Sequence, residues 1–459
     1  MAAAEHDDGT RVLVVTTDRV GHGMAGPAIR AWELARLLQV DHDVVLASPY
    51  PVEQPTVGFR AAVAGDRGAL EPLVRSCDVV IGIAGCVHHH AWIGELDDVA
   101  VVVDAYDPTA LEALERYAGG PADDAEAAYA DALAQMVEPL RWADLVLCAS
   151  TRQRDLLVGI LLALGRINPD TYASDPTLAS MLAVVPFGLP AEPPEAPDPG
   201  PLRGPDGVAG PDDVVLLWAG GIYDWLDPLT LIDAVARLDD RHKAVFLGVT
   251  HPTPAVGAMP MAARARRRSD ELGLTDRRVF FNDGWVPYDQ RAGWLLDADI
   301  GVSLHGDHLE TAYAFRTRML DYLWTALPIL CTDGDALADL VRAEGLGAVV
   351  PPGDPDAVAE AVRVMDDPAR RADHRAALAD EAGRRTWPEV AAPLLRWCER
   401  PRRAADRCAG PARPTPPWLH AGGPTPDAPA TPRRVRDVAV STARRAAGRA
   451  TRPLRGAGA

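Results

Sequence analysis

Two stretches carry side chains whose types and spacing can do chemistry. The first, "DRVGHGMAGPAIRAWELARLL", sets Gly21, Gly23 and Gly26 at G-x-G-x-x-G spacing, after a β-branched run and before Pro27 and a helical pattern. Glycines let backbone N–H groups approach an anion at the positive end of a helix, and proline suits a first helical turn. The second, "HGDHLETAYAFRTRMLDYLWTALPIL", follows an apolar strand and predicts a helix opening near Phe315. On that helix Arg318 and Asp321 share a face, with Glu310 in the loop before it. Such an arginine can hold a diphosphate, such an aspartate can accept from vicinal ribose hydroxyls, and the glutamate from sugar hydroxyls. The plainer alternatives are a tight strand-to-helix turn for the glycines and an exposed ion-pair face for the charges.

A dinucleotide fingerprint also needs an acidic residue at the end of the second strand. That strand ends in Ala47, Ser48 and Pro49, which removes the nicotinamide reading. In "VVVDAYDPTALEALE", Asp104, Tyr106 and Asp107 follow a strand end, where open α/β sheets place ligands, so one of them can orient an acceptor hydroxyl. Otherwise Asp107 caps a helix begun at Pro108. Trp225 in "GGIYDWLDP" either packs on a sugar or base or belongs to the core. The run His88, His89, His90 cannot easily converge on one ion, and "DHD" at 41–43 precedes its strand, so no metal is expected.

These candidates need a frame that brings strand ends together. Short β-branched runs alternate with helical stretches at 11, 43, 78, 99 and 143, the pattern of parallel strands covered on both faces. "AEPPEAPDPGPLRGPDGVAGPDD" at 191–213 is too rich in proline and glycine to continue either element. The alternation then restarts at 213, 243, 277, 298, 327 and 347. The expected organisation is an N-terminal Rossmann-like acceptor domain at 1–190, a linker at 191–213, a second Rossmann-like donor domain at 214–385 and a returning helix at 386–400. A disordered Pro/Arg-rich basic tail is expected over 401–459.

The net charge of −19 is uneven. Residues 401–459 hold 12 arginines against 3 acids, leaving 34 basic and 62 acidic side chains before them, a net −28, so the body is not expected to bind nucleic acid. Cys77, Cys86, Cys148, Cys331, Cys398 and Cys408 show no C-x-x-C spacing, which fits a reducing cytoplasm. The start of the chain reads as no secretory signal, and the longest apolar run, "LLVGILLALG" at 156–165, is about half the ~20 residues a bilayer needs. That run reads as a buried helix or as a membrane-facing acceptor wall. The basic tail offers a peripheral contact with an anionic inner membrane face.

The glycine loop after the first strand, "VVPFGLP" closing the first half, "WAGGIYDWLDPLTLIDAV" opening the second and "FRTRMLDYLWTALPIL" together resemble a GT-B glycosyltransferase. They most resemble the retaining family-4 enzymes, especially actinobacterial ones, over roughly residues 11–400, with "TWPEVAAPLL" similar to the family's last helix crossing back onto the N-terminal domain. The resemblance implies an α/β fold of two Rossmann-like domains with a cleft between them. It implies transfer of a hexose from a nucleotide diphosphate sugar to a glycan or lipid-linked acceptor, with no further cofactor. Carried over to this sequence, Asp321 matches the ribose-binding acid, Arg318 a basic residue near the phosphate and Glu310 an acid near the donor sugar. Gly23 and Gly26 match the loop reaching the diphosphate, and Gly221, Trp225, Phe315, Arg316 and Thr317 are expected to bind the donor with them. The family's E-x7-E spacing puts its first acid at Tyr313, so Glu310 serves only across a longer loop. Its usual arginine and lysine align with Gly221 and Leu226, leaving Arg318 and Arg316 as substitutes. A nucleotide-sugar 2-epimerase and a catalytically inactive GT-B subunit share the same architecture.

Overall fold

Why strands form here is visible in their burial: each β-branched run sends alternate side chains into different cores. In β1 (Arg11–Val15), Val12 and Val14 join one apolar cluster and Leu13 and Val15 another. Such two-faced burial is what helices on both sides of a parallel sheet provide. The computed structural model describes residues 9–118, 120–250 and 259–408, all within one compact unit.

The first sheet comprises β1, β2 (Asp43–Ser48), β3 (Arg60–Val63), β4 (Val79–Ile83), β5 (Ala100–Asp104), β6 (Leu145–Cys148) and β7 (Leu182–Val184). Its order is β3-β2-β1-β4-β5-β6-β7, every pair parallel. The second comprises β8 (Val214–Gly221), β9 (His242–Gly248), β10 (Val279–Phe281), β11 (Ile300–Ser303), β12 (Ile329–Thr332) and β13 (Gly347–Val350). Its order is β10-β9-β8-β11-β12-β13, again all parallel. In each sheet the connections reverse direction beside the first strand of its half, between β1 and β4 and between β8 and β11. Loops at the carboxyl ends of those strands frame a crevice.

One apolar cluster runs continuously from the first sheet to the second, through Leu34, Phe187, Leu217, Leu320 and Trp387. The chain passes between the domains twice at one place. Leu189 bridges Thr386, the Leu189 N–H donates to the Arg385 carbonyl at 2.8 Å, and the Trp387 N–H donates to the Leu189 carbonyl at 3.0 Å. Helix Trp387–Glu399 then lies on the first domain, burying Trp387, Ala391, Leu394, Trp397 and Cys398. The Thr10 hydroxyl donates to the Cys398 carbonyl at 2.8 Å.

Residues 191–213 form neither helix nor strand, as expected of a linker, and they are tied down: Leu202 is fully buried, and the Leu202 and Arg203 N–H groups donate to the Asp297 carboxylate at 2.7 and 2.9 Å. Two features depart from the sequence reading. The basic tail does not begin at 401. Helix Ala405–Cys408 docks on the first domain, Arg166 pairs with Asp406 at 2.6 Å, Arg407 with Asp144 at 2.6 Å and Arg403 with Asp97 at 2.9 Å. The first two pairs are buried and hold this turn in place, while the third is exposed through Asp97. The arginine-rich end proposed as a membrane contact, 409–459, lies outside the described residues. Finally, the helix expected near Phe315 is split into Leu309–Tyr313 and Arg318–Trp324. His308 caps the first turn, and Ala314 turns to an extended conformation and ends it.

Candidate active site

A cavity of about 180 Å³ opens where the two crevices face each other. The first domain contributes Met24, Ala25, Gly26 and Phe187, and the second Gly220, Gly221, Tyr223, Thr317, Arg318 and Asp321. On the first side, helix Gly26–Leu38 starts with its N-terminal turn at the wall and Pro27 in that turn. Gly23 is not part of the wall, and Gly21, Gly23 and Gly26 all keep ordinary φ. What they offer is absence of side chains rather than a special backbone shape.

On the second side Gly221 ends β8, the position the resemblance aligns with an arginine. Gly220 sits at φ +108°, a conformation suited to glycine. A Cβ on Gly221 would lie 2.6 Å from the Tyr223 ring, so a long side chain has no room there. Instead Arg318 reaches back to this strand end: its Nη2 donates to the Gly221 carbonyl at 2.9 Å and its guanidinium lies over the Trp218 ring at 4.7 Å. Its Nη1 is buried without a hydrogen-bond partner. Burial, with Arg316 adding repulsion, lowers the Arg318 pKa to about 10, leaving it charged at neutral pH. Asp321 also faces the cavity. Its Oδ1 accepts from Arg291 Nε at 3.0 Å, and about a third of the side chain remains exposed. Arg291, itself in the wall, is stacked 3.7 Å from the Tyr288 ring centre and 4.6 Å from that of Trp324.

Several candidates lie elsewhere than expected. Glu310 is not a loop carboxylate open to a sugar: it is 1% exposed and bound by both terminal nitrogens of Arg316, at 2.8 and 2.5 Å. Arg316 is thereby neutralised and buried, which removes it as a substitute phosphate partner. Phe315 stacks on Phe187 across the domains, 6.4 Å between centres, and is not in the wall. Trp225 stacks on Tyr223 at 4.9 Å, and it is Tyr223 that meets the cavity. Asp104 is paired with Arg30, which also donates to the Val185 carbonyl at 2.8 Å, and at 3% exposure it is closed to an acceptor. Tyr106 is buried edge-on against Phe187, and its hydroxyl pairs with Asp107.

Asp107 is not a helix cap, since helix Thr109–Arg116 has Pro108 at its N-cap and no side-chain bond there. Burial, reinforced by the charges of Asp104 and Asp18 against the Tyr106 hydrogen bond and Arg30, raises its pKa to about 7. Glu112 is raised as well, chiefly by burial and then by Asp107 and Glu310, while burial raises Asp18. Asp107 therefore titrates near neutrality, while Glu112 and Asp18 are held above the ordinary carboxylate range; none of the three is part of the cavity wall. Sequence reasoning missed Glu112, Asp18, Tyr223, Arg291 and Gln153; only "VPYDQRAGW", with Tyr288 and Arg291 three apart in a polar stretch, carried a signal that was available. Among the described residues no three His, Cys, Asp or Glu side chains converge as a metal site. No described helix is long and apolar enough to cross a membrane.

Residues 213–366 match a family model described as glycosyl transferases group 1. No curated protein matches the chain. Among solved structures, Anabaena HepE in complex with UDP-glucose superimposes with a TM-score of 0.62 at 17% identity, covering 84% of this chain and 99% of that one. Sucrose-phosphate synthase from Thermosynechococcus elongatus gives 0.60 at 15% identity, covering 84% and 98%. WaaG, a glycosyltransferase involved in lipopolysaccharide biosynthesis, gives 0.57 at 14% identity, covering 87% and 100%. At such identities these likenesses speak for the fold. Two facing parallel sheets of this order, joined to the match over residues 213–366, make the chain a glycosyltransferase of GT-B architecture.

Proposed function

We propose that the chain transfers a hexose from a nucleoside diphosphate sugar to a glycan or lipid-linked acceptor, as a retaining enzyme of the family-4 type in cell-surface polysaccharide or glycolipid synthesis. The observation that carries this reading is that Arg318, with an unpartnered buried Nη1, and Asp321, with one carboxylate oxygen uncommitted to Arg291, share one cavity wall opposite a helix N-terminus. Arg318 neutralises the departing diphosphate, and helix Gly26–Leu38 adds its positive end. Asp321 accepts from a ribose hydroxyl through Oδ2. Asp107, ionised for part of the time at neutral pH, orients the acceptor hydroxyl and takes its proton as the new bond forms. Glu310 acts at a distance, by fixing Arg316 and the bend that aims Arg318. Catalysis on this reading is alignment and charge stabilisation in a closed crevice.

The Anabaena relative's UDP-glucose makes uridine diphosphate sugars the donors to test first. Calorimetry with UDP and GDP, followed by assay of UDP release from a panel of UDP-sugars, tests the reading. Saturable UDP binding and slow donor hydrolysis are expected. An isomerised sugar without UDP release points to the epimerase instead, and binding without any turnover to an inactive subunit.

A further inference from the structure

Helix Thr151–Ala163 opens with Ser150, Thr151, Arg152, Gln153, and the sequence has the S-x-x-Q form of a capping box. The Ser150 hydroxyl accepts from the Gln153 N–H at 3.2 Å, and Gln153 Oε1 accepts from the Ala149 N–H at 2.7 Å. A glutamate would serve both needs equally well. The amide is used for more: Nε2 donates to the Tyr106 carbonyl at 2.6 Å and to the Tyr313 carbonyl at 2.8 Å. Oxygen facing an N–H and nitrogen facing two carbonyls allow only this orientation of the amide. Tyr106 belongs to the first domain and immediately precedes Asp107. Tyr313 belongs to the second and ends the turn that leads through Ala314 to Arg316 and Arg318. Gln153 is 2% exposed; the bond to Tyr106 is buried and that to Tyr313 partly so, and an unmade bond at such a place is costly. The neighbouring Arg152 also crosses the crevice, to the Gly334 carbonyl and Asp339, but that ion pair is substantially exposed and correspondingly weak.

We propose that Gln153 is a positioning residue that sets the spacing between the acceptor-side loop and the donor-side loop, an inference that rests on the transferase reading above. One buried amide fastens the backbone carrying Asp107 to the backbone that aims Arg318. It touches no reacting atom, and it lies apart from the cavity wall. Its loss leaves nucleotide binding in place and spoils alignment, and a displacement of about 1 Å costs on the order of 100-fold in rate.

Gln153→Glu keeps the helix cap and sets a carboxylate against two carbonyls; Gln153→Met fills the space and donates nothing. Both are compared with the parent for UDP affinity, for the turnover of UDP-glucose with water as acceptor, and for the distance between spin labels at the exposed Val63→Cys and Val364→Cys positions in a Cys408→Ser background. The expected result is UDP affinity within about 3-fold of the parent, turnover reduced roughly 10- to 100-fold and a distance distribution shifted to longer values, more in the glutamate variant. Parent-like turnover and distances in both variants overturn the proposal, as does a loss of UDP affinity equal to the loss of rate. If the glutamate variant does not fold, the methionine variant decides. If the parent neither binds UDP nor turns over UDP-glucose, it is the donor reading that falls, and the distances measured without nucleotide still judge Gln153.

Discussion

Arg318 is the first residue of a short helix and, whereas Arg291 in the same wall is paired with Asp321, it brings the cavity a guanidinium whose Nη1 has no partner. Removing an ionised donor from a phosphate contact costs about 1.5–3 kcal/mol. Arg318→Ala is therefore expected to weaken UDP binding roughly 10- to 100-fold by calorimetry, and an unchanged affinity dismisses this wall as the phosphate site. Asp321→Ala, by contrast, is expected to weaken UDP but not inorganic pyrophosphate; equal losses make Asp321 a partner of Arg291 alone. Asp107 yields a prediction about pH. Its pKa is raised by folding, to about 7, so the folded state holds the proton more tightly than the unfolded chain. The stability this contributes is present at low pH and is lost as pH rises through about 7. Asp107→Asn is thus expected to gain thermal stability over the parent as pH rises from about 4 to about 8, while losing transfer. A pH-independent difference in melting temperature contradicts the assignment.

At the scale of elements, β1, β5 and β8 were plain in the sequence because strands buried on both faces read as unbroken β-branched runs. β3 was not: Arg60, Ala61 and Val63 are exposed at the sheet edge, and no apolar pattern is required of them. The same limit explains the misplaced helix start at Phe315. Composition marks Arg316 and Glu310 as charges, but whether they meet depends on the bend at Ala314, where His308 caps the preceding turn and Gln153 holds its end from outside the segment. The end of the body was misplaced for a related reason, since a Pro/Arg-rich composition hides the individual ion pairs of Arg403, Asp406 and Arg407. A chain truncated after Arg400 leaves Arg166 and Asp144 buried without those partners, and breaking buried pairs costs about 3–5 kcal/mol. Urea denaturation of chains ending at 400 and at 410 measures this: the shorter chain is expected to be less stable by several kcal/mol, and equal midpoints at equal slopes refute the docking of residues 401–408.

For the whole molecule, the basic end beyond the described residues bears on where the enzyme works. Deletion of 411–459 is expected to leave UDP binding intact and abolish sedimentation with anionic vesicles at low salt, because each basic residue near such a surface contributes about 1 kcal/mol and screening removes it. A full-length protein that ignores those vesicles removes the tether and weakens the case for a lipid-linked acceptor. The double crossing at Leu189 and Trp387 has a different consequence, one that concerns biosynthesis. The first domain is completed only by helix Trp387–Glu399 and the turn at Ala405–Cys408, whereas every strand of the second domain lies between the crossings. During translation the first domain waits for its closing helix while roughly 200 residues are added, about 10–40 s at ~5–20 residues per second. In that interval the face of helix Gly26–Leu38 destined for Trp387, Leu394 and Trp397 stays open to water or to a chaperone, and the second domain finishes first. Ribosome-bound chains arrested at 385 plus a tunnel-length spacer should therefore show a protease-resistant second domain beside a cleavable first one, reversing the usual order in which the beginning of a protein folds before its end.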